Sequence, residues 1–126
     1  MSDFAIGRFK ISVVYRQVST DQGVTLHLFG PTESGEEEVL RFDCFRDQPH
    51  YHLGWSYRRE PYTPIHAANP FDWVITQLKT KPNELLAAAG ALVLDEQERS
   101  KLNRQLEQIR ESGVALQRDA QARIAQ

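Results

Sequence analysis

Asn69-Pro70-Phe71-Asp72-Trp73-Val74-Ile75-Thr76-Gln77-Leu78 decides the fold. Asn69 suits an N-cap, and Pro70 suits the first helical position, where no backbone N–H is needed. Phe71, Val74, Ile75 and Leu78 then fall at i, i+3, i+4 and i+7, which makes one apolar stripe on a helix. Upstream, apolar residues alternate with polar ones; downstream, they recur every three or four positions. Of the twelve aromatic residues, ten precede residue 69. A sheet half is therefore followed by a helical half, which is the α+β class.

Upstream, Gly7–Val18 alternates Phe9, Ile11, Val13 and Tyr15 with polar residues, the pattern of a half-buried strand. Strands are also expected over Val24–Phe29, Glu38–Phe45 and His50–Tyr57. The turn signals Thr20-Asp21-Gln22-Gly23 and Gly30–Gly35 and the break at Pro49 separate them. Short connections point to a four- or five-stranded antiparallel meander. Pro61 and Pro64 allow at most an edge strand after it. The stripe on the Asn69 helix is expected to cover the apolar face of this sheet.

Downstream, a short helix is expected from Pro82 to about Gly90, and a long one from Asp95 toward Ala125. Asp95 followed by Glu98 has the spacing of a capping box. Leu102, Leu106, Ile109, Gly113, Leu116 and Ala120 repeat at four and three, the spacing of a coiled-coil seam, on an otherwise polar helix. A polar helix of this length is marginal alone. The expectation is an α+β domain over residues 1–94 and an extended helix over 95–126 that docks a second copy or a partner helix. Leu102, Leu106, Ile109, Leu116 and Ala120 would be the docking residues.

The 126 residues suit one domain of ordinary globular composition, 40% hydrophobic and 25% charged. A net charge of −2 gives no global basic field to collect nucleic acid. The single Cys44 forms no internal disulfide and suits a reducing compartment. No apolar run spans a bilayer, and the N-terminus lacks a signal-peptide pattern. The chain reads as a cytoplasmic bacterial protein.

Chemistry is concentrated in Phe42-Asp43-Cys44-Phe45-Arg46-Asp47-Gln48-Pro49-His50-Tyr51-His52-Leu53-Gly54-Trp55. On a strand, His50 and His52 point to one face. With Asp43 or His66 they resemble a metal-ligand set, but the pattern lacks a second cysteine or a His-Glu-x-x-His element, and no metal or other cofactor is expected. As a general base and general acid, His50 and His52 with Asp43 would suit RNA cleavage, with Arg46, Arg58 and Arg59 near in sequence and Tyr51, Trp55 and Tyr57 as stacking surfaces. Cys44 shares a face with Leu40 and Phe42, the setting of an inert buried thiol. Whether the chain is an enzyme stays open. An interaction module acting through the C-terminal helix is the first reading, and a ribonuclease the alternative, the only one that brings in nucleic acid.

Phe-Asp-Cys-Phe at 42–45, Pro-His-Tyr-His at 49–52 and the segment Asn69–Leu78 resemble a small uncharacterised bacterial family. The layout is also distantly similar to TumE-type toxins of toxin–antitoxin pairs, with Arg41-Phe42-Asp43 and Pro49–His52 as the matching pieces. The resemblance covers about residues 24–80 and implies a toxin–antitoxin or defence context.

Overall fold

Six strands run in chain order across a single antiparallel sheet, β1-β2-β3-β4-β5-β6. The structure, a computed structural model, describes residues 2–54 and 62–124. The strands are β1 Ser2–Ile6, β2 Phe9–Val18, β3 Asp21–Thr32, β4 Gly35–Phe45, β5 His50–Leu53 and β6 Thr63–Pro64. Three helices follow: α1 Pro70–Thr80, α2 Pro82–Ala88 and α3 Glu96–Ile124. The class is α+β.

The strands differ in extent from the sequence pattern: β2 starts at Phe9 rather than Gly7, and β3 and β4 reach further into their shared turn than Val24–Phe29 and Glu38–Phe45. Ser2–Ile6 forms an edge strand, paired to β2 from Ser2↔Val13 to Ile6↔Phe9. Gly7 is the hinge of this hairpin, with φ +59. A side chain there would also run into Glu98. Among the described residues the meander accordingly has six strands rather than four or five. The strand expected over His50–Tyr57 is seen as His50–Leu53, and Trp55 to Tyr57 lie outside the described residues. Pro64 does sit on an edge strand, where the N–H it lacks is not missed.

Alternation sorts the sheet into two faces. Phe9, Ile11, Val13, Leu26, Leu28, Leu40 and Phe42 are buried on one of them, beneath the helices. Asn69 caps α1 by accepting from the Asp72 N–H at 3.1 Å, and Phe71, Val74 and Leu78 of α1 are buried. Asp95 and Glu98 form the expected capping box: the Glu98 N–H donates to Asp95 Oδ1 at 2.8 Å, and the Asp95 N–H donates to Glu98 Oε1 at 3.0 Å. The same Glu98 carboxylate accepts from the Arg8 backbone N–H at 2.7 Å and from the Arg8 guanidinium at 2.7 Å. The start of α3 is thereby fixed to the β1–β2 turn.

This attachment decides where the seam of α3 goes. Leu102, Leu106, Ile109 and Ala120 are buried within the chain's own core, and Leu116 packs half-buried against it. The helix touches α1, β1, β2 and β3. The expectation of a separate docking arm over 95–126 is therefore corrected. Leu102, Leu106 and Ile109 gain roughly 1.5–3 kcal/mol each from burial, so the stripe is taken up within the chain. A helix packed on one side against β1, β2, β3 and α1 needs only a narrow apolar strip, because solvent covers the rest.

Candidate functional site

The uncovered face of the sheet is built by the opposite set of alternating residues. Register places Thr25 opposite Asp43, His27 opposite Arg41, and Asp43 and Arg41 opposite His50 and His52. A β-bulge between Leu28 and Phe29 on one side and Leu40 and Glu38 on the other makes Val39 an extra residue. It reverses the alternation of β4, so Glu38 joins Arg41 and Asp43 on this face. Glu38 lies 3.1 Å from His27 Nδ1 and 4.0 Å from Arg41 Nε.

Asp43 is the hub. Only 1% of it is exposed. Its Oδ1 accepts from Thr25 Oγ1 at 2.8 Å and from Arg16 Nη1 at 3.0 Å. Its Oδ2 accepts from Arg41 Nε at 3.2 Å and lies 3.2 Å from His50 Nε2 and 3.7 Å from His52 Nε2. Burial pushes the Asp43 carboxyl up, but the bonds from His50 and Thr25 and the charges of Arg41 and Arg16 outweigh it and bring it to about 2.

The two imidazoles differ in their partners. His50 lies between two acceptors, Asp43 Oδ2 and, 2.8 Å from Nδ1, the Gln48 carbonyl oxygen. Only the imidazolium donates to both, and the bond to Asp43 raises the His50 pKa over the opposing effect of burial. His52 Nε2 is buried without a hydrogen-bond partner among the described residues. Burial lowers the His52 pKa, and the charges of Arg41 and His50 lower it further. The rings are 5.0 Å apart, edge to face. Tyr62, 54% exposed, stands with its ring 4.7 Å from that of His50. The His50 and His52 side chains are 17% and 13% exposed, although His52 Nε2 itself is buried.

The sequence singled out His50, His52 and Asp43, and the fold brings the three together, their ligand atoms within 4.8 Å of one another. His66 is exposed and does not join them. Such a triad suits a divalent metal by residue type, but two guanidiniums already occupy the shared carboxylate, and their charge opposes a dication. Arg46 is no part of the cluster: it is exposed and pairs with Asp47 at 3.4 Å. Arg58 and Arg59 lie outside the described residues. Sequence reasoning missed Arg16, Thr25 and Tyr62, and named Arg41 only through the resemblance. Alternation in β2 and β3 was the available signal, but only the register says which polar residues meet. Tyr51 faces the core against Phe42 and Trp73. Cys44 lies on that side too, where burial pushes its thiol up, away from a reactive thiolate.

Residues 3–113 match the model of a domain of unknown function, DUF7700. The chain belongs to this family. No curated protein and no solved structure matches it. The DUF7700 span takes in every residue of the cluster and stops at Gly113, where α3 passes Phe71. A cleft of about 630 Å³ opens beside this crossing, lined by Tyr15, Cys44, Phe71, Gly113 and Gln117 among others. Asp43, His50 and His52 do not line it.

Proposed function

We propose that this chain is a metal-independent ribonuclease whose reaction centre is the Asp43, His50 and His52 cluster. One observation carries the reading. Two adjacent strand imidazoles differ in hydrogen bonding, His50 having both ring nitrogens against acceptors and His52 having Nε2 unengaged. That is the division of labour between general acid and general base.

In this reaction the His52 imidazole takes the proton of a ribose 2′-hydroxyl. The 2′-oxygen bonds to phosphorus, the bond from phosphorus to the 5′-oxygen breaks, and His50 gives its proton to that leaving oxygen. The products are a 2′,3′-cyclic phosphate and a 5′-hydroxyl. Arg41 and Arg16 offset charge on the phosphorane, Asp43 keeps His50 protonated, and the exposed Tyr62 ring offers a base a stacking surface. A toxin–antitoxin or defence setting is the context we propose for such an activity.

Purified chain treated with chelator and incubated with single-stranded RNA is expected to yield cyclic-phosphate ends, and His50→Ala or His52→Ala to abolish them. Expression of the wild type is expected to arrest growth, with both variants harmless. Intact RNA after incubation with excess folded wild type rejects the proposal.

A further inference from the structure

We infer that Asp21, at the far end of the β2–β3 hairpin, is a positioning residue that aims the Gln48 carbonyl at His50. Asp21 pairs with Val18 across the Ser19–Thr20 turn. Its side chain does not serve that turn alone. Oδ1 accepts from its neighbour Gln22 N–H at 2.9 Å and from the Asp47 N–H at 3.0 Å, and Oδ2 accepts from the Gln48 N–H at 2.9 Å. The last two belong to the connection between β4 and β5. The Arg46 N–H donates to the Gln22 carbonyl at 2.8 Å, which lays the same connection along the start of β3.

The loop so held ends in Gln48-Pro49. Pro49 offers no N–H, and its carbonyl accepts from Ile65 at 2.9 Å, so the entry to β5 is fixed on one side by that bond. On the other side the only described bond of the Gln48 N–H is the one it donates to Asp21 Oδ2. The Gln48 carbonyl is then 2.8 Å from His50 Nδ1. An unbroken sequence of contacts leads from the Asp21 carboxylate through one residue of backbone to the ring. Burial pushes the Asp21 carboxyl up, but its three backbone N–H bonds more than offset this and hold it ionised.

The groups facing His50 come from several elements: Asp43 and Arg41 from β4, Arg16 from β2 by way of Asp43, His52 from β5, and the Tyr62 ring. All of them survive loss of Asp21. The loop contact does not. Catalytic relevance of Asp21 rests on the ribonuclease reading, but its effect on His50 does not.

The test is an NMR titration of the imidazole nitrogens of the full chain, for wild type, Asp21→Asn and Asp21→Ala. It is run at low salt and at about 1 M salt, where the screening length falls to about 3 Å and removes the direct charge effect. Loss of one ordinary hydrogen bond predicts a roughly three- to tenfold drop in the proton affinity of His50 in Asp21→Ala, with a smaller drop in Asp21→Asn. The His52 titration stays in place, and the drop persists at high salt. Unchanged His50 titration in folded variants, or a drop abolished by salt, overturns the inference. If Asp21→Ala does not fold, the isosteric Asp21→Asn decides alone. A displaced His50 in a protein without nuclease activity removes the ribonuclease reading and leaves the positioning role standing.

Discussion

Gly113 of α3 lies flat against the ring of Phe71 of α1: a Cβ at residue 113 would collide with Cε2 and Cζ of that ring. The glycine lets two helices approach at the point where the stripe of α1 meets the seam of α3. In sequence terms it had only a cost, about 1 kcal/mol relative to alanine in a helix. Gly113→Ala is expected to be destabilising by about 1–3 kcal/mol despite its better helix propensity, because Phe71 must leave its position. Urea unfolding of the two proteins measures this, and a more stable alanine variant refutes it.

Acid stability follows from two depressed carboxyls. Asp43 is brought to about 2 as described above, and hydrogen bonds from the Arg8 side chain bring Glu98, against the effect of burial, to about 2. The unfolded chain takes up these two protons at higher pH than the folded chain, so their contribution is complete above about pH 5 and is lost as pH falls toward 2. The loss is on the order of 3 kcal/mol for the pair, after discounting for the half-exposed Arg8. Glu98→Gln is expected to flatten part of the slope of unfolding free energy between pH 5 and 2. An unaltered slope counts against the assignment.

The histidines predict the shape of a rate profile. His52 is lowered and His50 is raised from the ordinary value, so the productive pair, neutral His52 with charged His50, dominates between the two. RNA cleavage should rise on the acid limb as His52 loses its proton and fall on the alkaline limb as His50 loses its own. The stability linkages have opposite signs. The His50 contribution is present below the unfolded value near 6.5 and is lost as pH rises through the folded one. Burying His52 neutral favours the folded state above that value and costs stability as pH falls through its folded pKa. A single-limbed profile assigns both roles to one group and contradicts the pairing.

Removing residues 95–126 tests the place of α3. Leu102, Leu106 and Ile109 would go, and the sheet face beneath them would be opened. At roughly 1.5–3 kcal/mol each, their loss approaches the whole stability of a typical domain. The fragment 1–94 is expected to show no cooperative thermal transition and weak near-ultraviolet dichroism. A cooperatively folded fragment would restore the view of α3 as a separate arm.

Local patterns carried much of this fold. Asn69 and Pro70 announced α1, Asp95 and Glu98 announced the start of α3, and alternation announced β2 to β5, because caps and periodicity are properties of adjacent residues. The pairing of His50 with His52 was legible for the same reason: residues two apart on a strand share a face. Tertiary structure alone decided the rest. The edge strand Ser2–Ile6 needs β2 beside it, and the bulge at Val39, which brings Glu38 onto the histidine face, exists only as a mismatch between two paired strands. Arg16 and Thr25 reach Asp43 across 27 and 18 residues of chain, a distance that no local signal spans. The heptad-like spacing of α3 fixed which side of the helix is apolar. What that side meets, the chain's own core rather than a partner, was settled by the Arg8–Glu98 anchor that turns the helix back across the sheet.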